Sequence, residues 1–151
     1  MGYDLHITRA NNWIDSEEEP ISREEWRAYI ESDSELENTK DDELGASWYG
    51  EGGRLGKSTC IGGFWWSKGR IVEKNPTEAE IRKMTQIATA LNARVVGDSD
   101  EEYHTNGEIW EEKYIDKAPG LFQRLCAWWT GTSLPERRID WVVTGKWDKL
   151  D

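Results

Sequence analysis

The stretch GFWWSKGRIVEKNPTEAEIRKMTQIATALNARVVGDSDEEY, residues 63–103, predicts a hairpin, a helix and a strand in succession. Two short runs rich in aromatic and β-branched residues meet at Lys68-Gly69, a pair typical of a tight hairpin turn. Thr77 and Glu80 then form the sequence pattern of a capping box, which begins a helix. Apolar residues recur at helical spacing after it and lead into a short strand at Val95-Val96.

The N-terminal part of the chain has boundaries of the same kind. Apolar and polar residues alternate from Tyr3 to Thr8, which predicts a half-buried strand with His6 on its polar face. Ser22 and Glu25 form a second capping box at the start of a helix. The acidic residues 34–43 that follow are predicted to form a solvated loop.

The remaining chain has weaker signals for structure. A flexible glycine-rich loop is predicted at Gly50–Gly63, and the other predicted elements are strands at Ser47–Tyr49, Glu108–Trp110 and Ile139–Val143 and a core helix from Pro119 to Gly131 that includes Trp129. No boundary between them resembles a domain linker. The sequence therefore predicts one α+β domain over residues 1–151, with a mainly antiparallel sheet of about five to six short strands and about three helices packed on it.

The net charge of −11 is unevenly distributed along the chain. Residues 15–43 contain thirteen Asp and Glu residues against Arg23, Arg27 and Lys40, and residues 98–116 are also strongly acidic. Such a field repels nucleic acid and anionic membranes and attracts basic proteins. We therefore expect a basic protein partner, no direct nucleic acid partner and no membrane partner.

Motifs for catalysis or cofactor binding are weak in this sequence. The loop after Gly50 resembles a phosphate-binding loop, but Glu51 stands where that motif needs its first glycine. The two cysteines, Cys60 and Cys126, are far apart and are predicted to be buried thiols, and two histidines supply few ligands for a transition metal. We predict no catalytic, cofactor-binding or metal-binding residues, and therefore no enzyme.

A cytoplasmic location is predicted from two observations on the sequence. No run of about 18 apolar residues is present that would form a membrane-spanning helix. The N-terminal residues also lack the basic and then apolar pattern of a secretory signal.

Several short groups of residues form a recognisable pattern over the first two thirds of the chain. They are Tyr3-Asp4-Leu5-His6-Ile7-Thr8-Arg9, Trp13, Ile21-Ser22, Glu25-Trp26, Lys74-Asn75-Pro76, Lys83-Met84, Ile87-Ala88 and Val96-Gly97-Asp98. This pattern resembles small bacterial proteins that are toxin-adjacent and immunity-protein-like. The resemblance implies an immunity-like role and carries over no catalytic residue.

The charge and the ten tryptophans favour a binding protein, because exposed aromatic residues are common anchors in interfaces. Our hypothesis is an immunity or antitoxin-like protein that binds and neutralises a toxin domain. The predicted contact residues are Glu17, Glu18, Glu19, Asp41, Asp42, Glu43, Trp48, Tyr49, Asp98, Asp100, Glu101 and Glu102.

Two other functions are compatible with the same sequence. One is an enzyme or small-ligand-binding protein with a cleft lined by Trp65, Trp66 and the Gly50–Gly63 loop. The other is a DNA mimic, in which carboxylates on one face are spaced like phosphates.

Overall fold

The computed structural model describes residues 2–39, 44–50, 60–114, 129 and 139–146. Nine strands are formed by these residues, namely β1 (Asp4–Thr8), β2 (Leu36–Asn38), β3 (Gly45–Trp48), β4 (Gly62–Ser67), β5 (Arg70–Lys74), β6 (Arg94–Gly97), β7 (Glu102–Tyr103), β8 (Glu108–Tyr114) and β9 (Ile139–Lys146). The helices are α1 (Arg23–Ser32) and α2 (Glu78–Ala90), with a three-residue 3₁₀ helix at Trp13–Asp15.

All nine strands belong to one sheet, in the order β2-β3-β4-β5-β1-β6-β7-β8-β9. Every neighbouring pair is antiparallel. β1 occupies the centre, where Leu5 is paired with Glu73 of β5 on one side and with Gly97 of β6 on the other. The prediction of an α+β fold with an antiparallel sheet is therefore confirmed.

Both α-helices begin at the capping boxes that the sequence predicts. In α1 the Ser22 hydroxyl accepts from the Glu25 N–H and the Glu25 carboxylate accepts from the Ser22 N–H. Thr77 and Glu80 exchange the corresponding bonds at the start of α2. These bonds satisfy N–H groups that have no partner inside the helix, so the caps fix where each helix starts.

The two helices cover one face of the sheet and form the hydrophobic core with it. Leu5 and Ile7 of β1 are fully buried in this core, as is Phe64 of β4. Trp26 of α1 and Met84 of α2 are fully buried against them. Because side chains alternate along a strand, the residues between these core positions project from the opposite face.

The hairpin between β4 and β5 has the predicted turn. Lys68 and Gly69 have φ values of 49° and 79°, as a two-residue hairpin turn with positive φ at both central positions requires. The Gly69 carbonyl accepts from the Ile21 N–H at 2.8 Å, so the turn also holds the chain that enters α1.

Several predictions about individual elements are wrong. The described residues form nine strands rather than five or six, and two α-helices rather than three. Residues 34–43 are not simply a loop, because β2 lies within them as an edge strand. Cys60 is exposed rather than buried, whereas Cys126 lies outside the described residues.

The third predicted helix, Pro119–Gly131, lies outside the described residues except at Trp129. This residue is helical, but 89% of its surface is exposed. The predicted burial of the apolar stripe is therefore wrong at Trp129.

Candidate functional site

The sheet face opposite the helices has polar and aromatic side chains. One row of paired residues crosses it from β4 to β7, through Trp65, Val72, His6, Val96 and Glu102. Neither of the described α-helices packs on this face, which we call the open face, whereas the 3₁₀ helix places Trp13 on it.

A cleft of about 390 Å³ lies on the open face near the centre of the sheet. Its lining residues come from β1, β4, β5, the 3₁₀ helix and the turn after β6, and they are Asp4, His6, Trp13, Trp65, Ser67, Arg70, Val72, Lys74 and Asp98. We call this the open-face cleft. It combines two tryptophans with two carboxylates, two cations and one histidine.

His6 forms the floor of the open-face cleft and is only 3% exposed. Its Nε2 lies 3.2 Å from Oδ1 of Asp98, and its ring stacks on Trp13 with centroids 4.4 Å apart. Nδ1 is buried and has no hydrogen-bond partner among the described residues. Burial lowers the pKa of His6, and the charge of Arg70 acts in the same direction, whereas the bond to Asp98 opposes both. His6 is therefore held in place by Asp98 at Nε2 and by the stacked Trp13 ring.

Arg70 lies beside the histidine and has few partners. Its guanidinium lies 5.0 Å from the Trp13 ring centroid, and Nη1 donates to the Trp13 carbonyl at 3.5 Å. Nε is buried with no hydrogen-bond partner, and no described carboxylate forms an ion pair with the side chain. Burial lowers the pKa of Arg70, and the charge of Glu17 opposes this. The cation is therefore partly desolvated without a matching anion.

Trp65 forms the wall of the cleft on β4, with 43% of its surface exposed. A Cβ added to Gly63 would lie 2.9 Å from the indole Cη2, and one added to Gly45 would lie 3.1 Å from the indole Nε1. The ring therefore lies against the sheet at two positions where any larger residue would push it away. It presents its other surface to solvent.

A second cleft, of about 590 Å³, lies between α2 and the β3 end of the sheet. Lys83, which lines it, is 5% exposed and pairs with Asp33 at 2.7 Å and Glu35 at 2.9 Å. Glu35 also accepts from the Trp48 indole N–H at 3.1 Å. These charges satisfy one another, so the network holds α2 to the edge of the sheet rather than presenting a free group.

Glu73 is a buried carboxylate on the helix-covered face. It lies opposite Leu5 of the core and is 7% exposed. Its Oε2 has no hydrogen-bond partner among the described residues. Burial, reinforced by the negative charge of Glu80, raises the pKa of Glu73 to about 8. At neutral pH this side chain is mostly protonated.

The structure brings one residue from each of two predicted acidic segments to the open-face cleft or close to its lining. Glu17–Glu19 are exposed, and the charge of Glu17 is close enough to Arg70 to raise the pKa of that guanidinium. Asp98 lines the cleft, Asp100 is exposed nearby in sequence, and Glu102 lies on the open face at 3.8 Å from Arg94. These segments are about eighty residues apart in the sequence.

Other predicted contact residues do not belong to this surface. Trp48 is 6% exposed within the core, and Glu101 is 6% exposed with its carboxylate bound to the Tyr103 hydroxyl. Both predictions of partner contact are wrong at these positions, because the side chains are buried. Tyr49 is half-buried at the other end of the sheet. Asp41, Asp42 and Glu43 lie outside the described residues.

The predicted cleft lined by Trp65, Trp66 and the Gly50–Gly63 loop cannot contain both tryptophans. These neighbours in β4 face opposite sides of the sheet, and the Trp66 indole donates to the Ile21 carbonyl at 2.7 Å on the helix side. Residues 51–59 of the Gly50–Gly63 loop lie outside the described residues. Trp65 is the predicted residue that does line a cleft on the open face.

His6, Trp13 and Arg70 were not predicted as site residues. Each is isolated in the sequence from the groups it meets in the structure, since 92 positions separate His6 from Asp98. The alternation in β1 placed His6 on the polar face, which was the available signal. Nothing in the sequence near His6 indicates its burial under Trp13.

Within the ranges that the structure describes, no three His, Cys, Asp or Glu residues are grouped so that they could hold a metal ion. No helix in the same ranges has the length and apolar character needed to cross a membrane.

Comparison of the chain with protein families, with curated proteins and with solved structures gives no match in any of the three.

Proposed function

We propose that this chain is an immunity-like protein that binds a basic toxin domain through the open face of its sheet. One observation carries the proposal. Two acidic residues that are far apart in sequence meet at one aromatic cleft, since Asp98 lines it and the charge of Glu17 acts on Arg70 in its lining.

Charged and aromatic side chains contribute to binding in different ways. Carboxylates at the rim of an interface mainly raise the association rate with a basic partner. Large aromatic side chains near the centre supply most of the binding energy when they are desolvated. Trp65 is suited to this role, because it lines the cleft and exposes 43% of its surface.

The basic residues of the open face restrict the kind of partner. Arg70 and Lys74 line the same cleft as Asp98. Arg94 pairs with Glu102 farther along the sheet. A partner must therefore present cations toward Glu17 and Asp98 and must not place further cations beside Arg70 and Lys74. This alternation supports a folded protein surface rather than a uniformly basic nucleic-acid-binding surface, so the DNA-mimic hypothesis gains no support from it.

The direct test uses the protein encoded immediately upstream of this chain's gene. Both proteins are purified, mixed and analysed by size-exclusion chromatography with light scattering, and the pair is co-expressed to measure protection of the host cell. We expect a stable complex and restored growth. No complex together with no protection would overturn the proposal.

Variants locate the interface on the open face. Glu17→Lys/Glu18→Lys/Glu19→Lys reverses the charge of the first acidic segment. We expect the association rate to fall about tenfold or more at low salt. Glu24→Lys/Glu31→Lys is the matched control, because both residues are exposed on α1, which packs on the other face. An equal loss of association rate in the control would show that net charge, and not this face, governs binding.

A further inference from the structure

The Arg70 guanidinium has unmet binding capacity. A guanidinium offers five donors, and the described contacts use one of them in a 3.5 Å bond to the Trp13 carbonyl. Nε is unpaired but buried, so the donors left for a ligand in the cleft are those of the two Nη atoms. The planar donor fork of arginine matches the two oxygens of a carboxylate better than any other common group.

The residues around Arg70 indicate which chemical group is attached to such a carboxylate. Trp65 is diagonally placed from Arg70 on the neighbouring strand, since Ser67 pairs with Arg70 and Trp65 pairs with Val72. The indole is held against the sheet by Gly45 and Gly63 and exposes its outer surface. A flat apolar group can stack there while its carboxylate reaches the guanidinium.

The size and charge of the cleft agree with a small molecule of this kind. A volume of about 390 Å³ falls in the range of small-ligand sites, about 300–1,000 Å³. Lys74 adds a second cation to the lining. Asp98, in contrast, is already engaged by the Asp4 N–H at 2.9 Å and by His6, so its carboxylate does not compete for Arg70.

We infer that the open-face cleft binds a small carboxylate with a planar apolar body, with Arg70 holding the carboxylate and Trp65 stacking on the body. This binding depends on Arg70 and Trp65 and not on the acidic segments, so it can be tested independently of a toxin partner.

The test is isothermal titration calorimetry of the intact chain with three carboxylates, namely benzoate, phenylacetate and indole-3-acetate, and with the corresponding neutral amides. The amides keep the shape and lose the charge. We expect at least one carboxylate to bind with a dissociation constant below about 1 mM and about tenfold more tightly than its amide. Equal affinity for acid and amide, or no binding of any probe up to about 10 mM, would overturn the inference.

Variants assign the two roles separately. Arg70→Gln should remove the preference for the acid over the amide, and Arg70→Lys should keep part of it, because the charge remains but the fork is lost. Trp65→Ala should weaken acid and amide by the same factor. Arg82→Gln, which alters the second cleft, is the control and should change neither affinity. Retention of the full acid preference in Arg70→Gln would refute the assignment, and the amide comparison on the unaltered chain remains decisive if a variant does not fold.

Discussion

The Glu73→Gln substitution keeps the shape of a buried side chain and removes its charge. The pKa of Glu73 is raised from 4.5 to about 8, because the carboxyl is buried and lies near the charge of Glu80. The folded chain therefore holds this proton more tightly than the unfolded chain. The stabilising contribution is fully present below about pH 4.5 and is lost as the pH rises toward 8.

The size of this loss follows from the difference between the two pKa values. A difference of about 3.5 at about 1.36 kcal/mol per pKa unit gives an upper limit of about 5 kcal/mol. Because a buried site relaxes when its carboxyl ionises, we expect about 3–5 kcal/mol. This is a large part of the stability of an ordinary domain, about 5–15 kcal/mol.

The assay is urea unfolding of the original chain and the Glu73→Gln variant at pH 5 and pH 9. The free energy of unfolding should fall by about 2–4 kcal/mol more in the original chain than in the variant over this interval, because part of the loss already occurs below pH 5. Glu31→Gln is the matched control, because it removes an exposed carboxylate from α1. If the original chain and Glu73→Gln lose stability in parallel, the buried carboxyl does not carry the raised pKa.

Three further predictions concern other polar groups. Lys83→Met leaves Asp33 and Glu35 without their shared cation and should lower the free energy of unfolding by about 3 kcal/mol; an effect under about 0.5 kcal/mol would contradict the ion-pair network. Thr77→Ala removes the cap of α2 and should cost about 1 kcal/mol in the same urea measurement, whereas an unchanged midpoint would argue against the cap. Burial lowers the pKa of His6 below 6.5, so stability should fall as the pH drops below 6.5 toward the folded-state pKa; an NMR titration that placed this pKa above 6.5 would reverse the sign.

The parts of the fold that could be predicted are those set by neighbouring residues. Each capping box lies within four positions of sequence, at Ser22–Glu25 and Thr77–Glu80, and both form as predicted. The Lys68-Gly69 turn is equally local. A hydrogen bond between near neighbours depends little on the rest of the fold, so its sequence signature is sufficient.

The candidate site could not be predicted in the same way, because its contacts join distant parts of the chain. The bond between His6 and Asp98 exists only because β1 pairs with β6 in one register. Lys83 and Glu35 are 48 positions apart, and no local pattern indicates that they meet. The burial of Trp48 was missed for a related reason, since alternation in a four-residue strand does not tell which face the helices will cover.

The alternation of side chains along a strand separates Trp65 from Trp66 in the sequence itself. Trp65 and Trp66 are adjacent in a run that was itself predicted to be a strand. Adjacent strand residues point to opposite faces, so a single cleft cannot be lined by both. The alternation alone was enough to divide the pair, and the structure assigns Trp65 to the open face and Trp66 to the helix side.

The central position of β1 has a consequence for how the chain reaches its native state. β2–β5 and β6–β9 are each continuous in sequence, and β1 joins the two groups. Leu5 must find Glu73 and Gly97, so the closing contacts span long loops and form slowly. Until they form, β5 and β6 each present an unpaired edge to other chains. A five-residue strand therefore separates productive folding from edge-to-edge aggregation in this protein.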